Sequence, residues 1–364
     1  MKVLALGVFF FAVMLPCVFA QSADMQPLVR IKLNASKPET IFLKELKNRV
    51  ETYQRQMNTT VSSVDDRKQI LEALIDEKLV VQAAIKEGMN ITGSQVDQIY
   101  QQTISQMVGK NVTEAEFAEL VKANYKMTVE ELFRSQAGMG VAEYKVYLKN
   151  QVLARNYVLS KKQAEIAKKS EPTDSEIRSY YELKESELVQ PETLKIFIAI
   201  VQKGKDPAAA KNQIVSLCND YKAKKITADK MKTESQKKDS AYKVGDMFIG
   251  KTEMAAQQLG MTLQNLLGLF KEKEGYVSDI IENNNEWYFF VITKKYDKKS
   301  LSLSDSVQPE STTTVYDYIK NLIGSQKQQA AFMQAIQDVT RELNTPENVD
   351  RMKKDKELEK LLSW

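Results

Sequence analysis

The sequence predicts a mainly helical α+β protein in which a small α+β domain interrupts a helical body. Three features predict it. Four Thr-led capping boxes fall between residues 92 and 176, and each can satisfy two orphan amides at a helix start. After Pro172 the character changes. Two β-branched and aromatic runs, residues 194–201 and 287–293, lie among helical and turn segments in the order β-α-α-β-α-β-β. A long helical pattern then returns over residues 315–343.

Taken in order, residues 1–20 read as an export signal. Lys2 supplies the positive start, residues 3–15 are almost unbroken apolar, and Val18-Phe19-Ala20 places small or branched residues before a cleavage point after Ala20. The apolar run falls short of the ~20 residues a spanning helix needs. The expected location is therefore the periplasm, with no membrane span in the mature chain. Cleavage removes Cys17 and leaves Cys218 alone, so no internal disulfide can form. Cys218 lies on a helical pattern and reads as a core residue.

Val29, Ile31 and Leu33 alternate with Arg30 and Lys32, which predicts a short strand. Ser36 and Pro38 then predict a helix start, with Phe42, Leu46, Val50 and Tyr53 on its inward stripe. The next helix covers residues 64–87 and buries Ile70, Leu71, Leu74, Ile75, Val81 and Ile85, with Gly88 ending it in a left-handed cap. The capping boxes begin at Thr92, Thr113, Thr128 and Thr173, with Gln95, Glu116, Glu131 and Glu176 as their return partners. Residues 141–169 form a long helix with Tyr144, Tyr147, Leu148, Leu153, Tyr157 and Ile166 inward. Beyond it come a short helix from Thr173, a strand at 194–201, a helix at 211–224 and a turn near Gly245-Asp246 with flanking strand material. A helix at 263–270, a turn and strand at 275–281 and a strong strand at 287–293 follow. Residues 298–314 are a Ser/Thr-rich connector. The helix at 315–343 carries Tyr318, Leu322, Phe332, Ile336 and Val339, and residues 346–364 form a charged tail.

Composition narrows the function. The chain contains no histidine, the usual general base near neutral pH and the commonest metal ligand. Ser-His-Asp, Cys-His and His-zinc chemistries are therefore excluded. Charge is nearly balanced, 52 basic against 48 acidic residues, which is not the footprint of a nucleic-acid binder. There is no Gly-rich phosphate loop. No catalytic residue, metal, cofactor or nucleic-acid partner is assigned.

The layout resembles a known family. Arg67-Lys68-Gln69-Ile70-Leu71-Glu72-Ala73-Leu74-Ile75-Asp76-Glu77-Lys78-Leu79, followed by Ala83-Ala84-Ile85-Lys86-Glu87-Gly88-Met89-Asn90-Ile91-Thr92, is similar to a helix–turn–helix start of the SurA and PrsA group of exported foldases. Met127-Thr128-Val129-Glu130-Glu131-Leu132 is similar to a second helix start of that group. Thr173-Asp174-Ser175-Glu176-Ile177 with Tyr180-Tyr181 looks like its linker to a parvulin-type prolyl isomerase domain. Within that domain, Val244-Gly245-Asp246-Met247 and Lys273-Glu274-Gly275-Tyr276-Val277-Ser278-Asp279 look like parvulin landmarks. The resemblance covers most of residues 25–345 and is more specific in the helical part.

It implies a discontinuous helical chaperone domain with an inserted, divergent parvulin-like α+β domain. The corresponding ranges are 1–20 signal peptide, 21–175 helical domain, 176–300 parvulin-like domain, 301–345 returning helix and 346–364 tail. The active centre departs from the family. The two histidine positions fall near Phe197 or Ile198 and at Tyr288, and Ser235-Gln236-Lys237 stands where a loop Cys or Asp is usual. The resemblance thus implies a parvulin shell without its polar network.

The expected function is ATP-independent binding of unfolded or nascent outer-membrane and envelope polypeptides. Met107, Met127, Phe133, Met139, Val141 and Tyr144 are the candidate client-binding residues, since flexible thioethers and aromatics repack around varied guests. The same residues at helical spacing also suit a core, and both readings stand at this point. Tyr242, Met247, Phe248, Phe270 and Tyr288 are the candidate lining of a residual isomerase pocket. Leu358, Leu361, Leu362 and Trp364 offer a stripe for a partner or for the body itself. An active prolyl isomerase and a surface-exposed adhesin or structural envelope protein are the alternatives.

Overall fold

Alternation near the N-terminus does produce a strand. In the computed structural model, which describes residues 23–34 and 37–364, β1 (Pro27–Ile31) buries Leu28, Val29 and Ile31. It pairs antiparallel with β2 (Glu39–Phe42), setting the fully buried Ile41 opposite Val29. The helix expected from Ser36 therefore starts later. Thr40 and Ile41 are β-branched and fit a ladder better than a first helical turn. α1 (Leu43–Met57) buries Leu43, Leu46 and Val50. Phe42 ends the strand, and Tyr53 faces outward. The segment 1–20 with Cys17 and Ala20, and Ser36 itself, lie outside the described residues.

α2 (Val64–Lys86) starts with the Ser63 hydroxyl accepting from the Asp66 amide. Leu71, Leu74, Ile75, Leu79 and Val80 form its buried face, whereas Ile85, expected inward, is exposed in the last turn. Gly88 follows at φ +83°, a conformation that favours glycine. α3 (Gly93–Val108), α4 (Glu114–Tyr125) and α5 (Val129–Ala137) each open with a complete reciprocal capping box on Thr92, Thr113 and Thr128. α6 (Val141–Ser170) follows. α7 (Asp174–Lys184) opens with the fourth box, on Thr173. The Thr173 amide, then Lys327 Nζ, hold the Glu176 carboxyl down at about 2.

The next elements are β3 (Val189–Gln190), β4 (Thr193–Gln202), α8 (Pro207–Lys222), α9 (Ala228–Ser235), β5 (Lys243–Gly250), α10 (Glu253–Gln258), α11 (Leu263–Leu269), β6 (Ile281–Glu282), β7 (Glu286–Tyr296) and β8 (Lys299–Ser300). α12 (Val315–Leu343), β9 (Val349–Arg351) and α13 (Asp355–Leu361) complete the chain. Two compact units result: Ser170–Lys327, and the described residues up to Lys169 joined with Gln328–Trp364.

The helical unit has two cores. The larger joins β1, α1, α2 and the middle of α6 with Ala331, Ala335 and Val339 of α12, Val349 and Leu362. The smaller joins α3, α4 and α5 through Tyr100, Ile104, Phe117, Val121, Leu132 and Phe133. The tail is part of this body. β9 pairs antiparallel with β1, Leu362 is fully buried, and Leu358 and Leu361 pack on the larger core. Arg67 Nη1 donates to the Leu362 carbonyl at 2.7 Å, and its guanidinium lies 4.6 Å from the Trp364 ring centre. Of the stripe Leu358, Leu361, Leu362 and Trp364, the three leucines pack on the body, whereas Trp364 lies beside Arg67 and stays 41% exposed.

The central unit is built on an antiparallel sheet in the order β5-β4-β7-β6. Strand alternation divides its apolar residues between two faces. Ile196, Ile198, Tyr288, Phe290 and Ile292 pack with Leu259, Leu266 and Phe270 from the α10–α11 layer. Phe197, Ala199, Val201, Phe289 and Val291 pack with Ile214, Cys218 and Met231 from α8 and α9. Gly245 and Asp246, expected in a turn, lie inside β5, where an edge strand tolerates them. Residues 275–281 make an isolated bridge, Val277 to Val291, before the two-residue β6. A third cluster joins Ile177 and Leu301 to Val315 and Ile319 on the first half of α12. Tyr318, expected inward, is exposed, and Leu322 is half-buried.

One half-buried acid yields a stability prediction. Burial, then the neighbouring Glu72, raises the Asp76 pKa above its ordinary 3.8. The folded state therefore binds that proton more tightly than the unfolded chain, and stability falls as pH rises through the raised value. Asp76→Asn is expected to raise the urea midpoint at pH 7. The gain should vanish below about pH 3.8, where both states are protonated. Denaturation curves at the two pH values check it.

Candidate polypeptide-binding and isomerase-like sites

Four of the six client-binding candidates build the smaller helical core. Phe133 is 2% exposed, with its ring centre 5.9 Å from Tyr100 and 4.6 Å from Tyr144. Met127, Val141 and Tyr144 pack against the same cluster. Met107 stands apart near the end of α3, 51% exposed. Met139, in the α5–α6 turn, lines a cleft, and Tyr144 reaches that cleft as well as the core. The six residues do not form one surface.

The cleft has a volume of about 420 Å³ and lies between α1, α2 and the start of α6. Tyr53, Val146 and Tyr147 join Met139 and Tyr144 on its wall. Tyr147 was expected inward and Tyr53 on a buried stripe. Val146 was not anticipated, although it stands directly between Lys145 and Tyr147 in the aromatic start of α6. Tyr53 is 41% and Val146 58% exposed. Polar groups on the floor are paired among themselves: Arg49 Nη2 to Glu77 at 2.6 Å, and Lys78 to Glu45 at 2.8 Å and to Glu39. Burial works against the Lys78 ammonium, but Glu45 and Glu39 outweigh it and lift its pKa. Past Arg49 and Tyr53 a second hollow of about 460 Å³ continues along Thr59, Thr60 and Ile70. Such walls present apolar and aromatic area with no free reactive group, which suits a flexible guest.

The isomerase-like candidates divide between the two faces of the central sheet. Met247 stands opposite Ile196, on the face that also carries Phe270 and Tyr288. Phe248, its neighbour, stands opposite Lys195 and turns to the other face, 6.1 Å from Tyr296. Tyr242 packs with that second face, and its hydroxyl donates to Glu234 Oε2 at 3.0 Å. Period-two alternation forbids a single pocket from all five. Phe197 and Tyr288 likewise point to opposite faces, whereas Ile198 shares the face of Tyr288.

Tyr288 is committed elsewhere. Its buried hydroxyl donates to the Leu259 carbonyl at 2.7 Å, at the end of α10. Burial, then Glu286, pushes its phenol pKa up, so the group is a neutral structural donor. Ser235 Oγ donates to the Lys232 carbonyl at the end of α9. Ser278 is buried and accepts from the Phe290 amide while donating to the Asp279 carbonyl. Met254, Leu263 and Leu267 on α10 and α11 are exposed apolar residues that the sequence reading passed over. Among the described residues, no group of three or more Cys, Asp or Glu is placed to hold a metal, and no helix is long and apolar enough to cross a membrane.

Comparison with known proteins agrees with this layout. A PPIC-type PPIase domain model matches residues 172–306. The foldase protein PrsA of Clostridium acetobutylicum is 22% identical over 309 residues, spanning 82% of this chain and 78% of the relative. Among solved structures, one from a study of the SurA-like chaperones PEB4 and Cj1289 of Campylobacter jejuni shares 15% identity. It covers 90% of this chain and 100% of its own, with a TM-score of 0.33. PrsA of Bacillus subtilis shares 17% identity, covering 93% and 98%, with a TM-score of 0.32. The central unit thus carries a match to a PPIC-type PPIase domain, and the chain is similar to a PrsA foldase over most of its length.

Proposed function

We propose that the chain is an ATP-independent periplasmic chaperone that holds unfolded or nascent envelope polypeptides, outer-membrane proteins included, in the cleft of its helical unit. The cleft walled by Tyr53, Met139, Tyr144, Val146 and Tyr147 carries this reading. The foldase relative and the signal-like start support it. The PPIC-type domain works, in this reading, without a histidine site, because the chain holds no histidine and Tyr288 is spent on the Leu259 carbonyl.

The test is light scattering from an unfolded outer-membrane protein diluted with and without the mature chain. Suppression is expected. The pair Tyr53→Asp and Val146→Asp should weaken it several-fold while leaving the urea midpoint unchanged, since both side chains are already exposed. No suppression by excess intact protein sinks the reading.

The isomerase alternative draws on the domain match and on the exposed Met247, Met254, Leu263 and Leu267. Twisting a peptide bond needs no covalent step, only a barrier of about 18–20 kcal/mol lowered. A protease-coupled assay on a proline peptide is expected to read background. A rate clearly above background that disappears with Met247→Ala and Phe270→Ala favours the alternative.

A further inference from the structure

Sheet edges are blunted in this molecule by being short, with one exception. β2 has four residues, β9 three, and β3, β6 and β8 two each. β5 has eight, Lys243–Gly250, and is an outer strand of the central sheet. Its ladder with β4 runs without a break from Thr193↔Gly250 to Ile200↔Lys243. The β4–β7 and β1–β2 ladders, by contrast, each contain a register shift. β5 holds no proline.

Half the backbone groups of an edge strand point away from its partner. From Lys243 to Ile249, among the described residues, no backbone N–H or C=O bonds to anything outside the β4 ladder. A long edge without bulge or proline is a template for another strand, and the one charge in the interior of this edge, Asp246, is paired with Lys232 of α9 at 2.8 Å. Met247, 37% exposed, and the half-buried Phe248 lie on opposite faces of it, so an added strand meets apolar surface on both sides.

We propose that the free edge of β5 binds an extended segment of client polypeptide by strand addition. This rests on the chaperone reading and assigns it a second, sequence-tolerant contact. The guest's main chain supplies the hydrogen bonds, its alternate side chains meet Met247 and Phe248, and an acidic flank suits Lys243 at one end, Lys251 at the other being paired with Glu192. A second copy of this chain is a poorer occupant. Antiparallel pairing about a twofold axis sets one residue opposite its own copy. The two longest registers then oppose Asp246 to Asp246 or Lys243 to Lys251, and like charges directly opposite are destabilising.

The probe is a labelled peptide of alternating valine and threonine with an aspartate at each end, used with the intact mature protein. A control peptide carries N-methyl groups on alternate amides, which removes ladder donors and keeps the side chains. The parent peptide is expected to bind and to slow hydrogen exchange within Lys243–Gly250, and N-methylation should weaken it at least about tenfold. Asp246→Pro and Met247→Pro form a pair in which one residue turns its N–H outward. The variant that keeps the wild-type urea midpoint should lose the peptide.

Equal binding of both peptides overturns the proposal, as does protection confined to other elements. Protection of β5 in the absence of peptide, with self-association in sedimentation, gives the edge to a second copy and also overturns it. Aggregation suppression that persists while β5 stays unprotected defeats this inference alone. Peptide protection of β5 without suppression defeats the cleft reading instead.

Discussion

Deleting residues 355–364 is expected to destabilise the helical unit by about 3–5 kcal/mol, read as a lower urea midpoint in circular dichroism. Leu362 is fully buried, and truncating a buried leucine to alanine alone costs about 2–5 kcal/mol through lost transfer energy and the cavity left behind. The deletion also strips Arg67. That side chain is 7% exposed and donates to the Leu362 and Val61 carbonyls, with the Trp364 ring stacked against it. Losing one carbonyl and the ring leaves a buried cation poorly satisfied, which is costlier than the hydrogen bond itself. Leu362→Ala should reproduce most of the effect. A truncated chain that unfolds at the wild-type midpoint would return the tail to the role of a partner-docking stripe.

What was legible in the sequence is what local chemistry decides. All four capping boxes close as read, because a Thr and a Glu or Gln three residues on need only one helical turn to meet. Gly88 and the bounds of α12 were legible for the same reason. β2 was not. Glu39–Phe42 becomes a strand through β1 and the burial of Ile41 against it, and neither is visible in a short run that follows Pro38. The tail was legible only as a stripe for a partner or for the body, because the place Leu362 takes beside Arg67 is made by a residue almost three hundred positions away in sequence.

The sites were legible only in part, for a geometric reason. Residue type pointed to apolar, deformable side chains but not to the side on which each one falls. Parity could have separated Tyr242 and Phe248 from Met247, since 242 and 248 share a strand phase and 247 does not. Placing a turn at Gly245-Asp246, with strand only on its flanks, broke the phase that runs unbroken through β5. The cleft was harder to see. It is assembled from α1, α2 and α6, so Tyr53 and Val146 meet Met139 only once three helices have packed.

Phe133→Ala is expected to cost the helical unit about 3–5 kcal/mol, the usual range for emptying a buried aromatic site. Phe133 is nearly inaccessible and packs between Tyr100 and Tyr144, joining α3 and α5 to the start of α6. Amides of α3, α4 and α5 should exchange much faster in the variant, while those of β4 and β7 in the central unit keep their protection. Met107→Ala is the matched control, at an exposed position where stability should change by less than about 0.5 kcal/mol. The pair separates two roles that residue type cannot. A core residue loses stability first and client protection only as a consequence. A client-binding residue loses protection while the urea midpoint stays put. If Phe133→Ala keeps the wild-type midpoint yet fails to suppress aggregation, Phe133 touches the guest and the smaller core is not what holds α3 to α5 together.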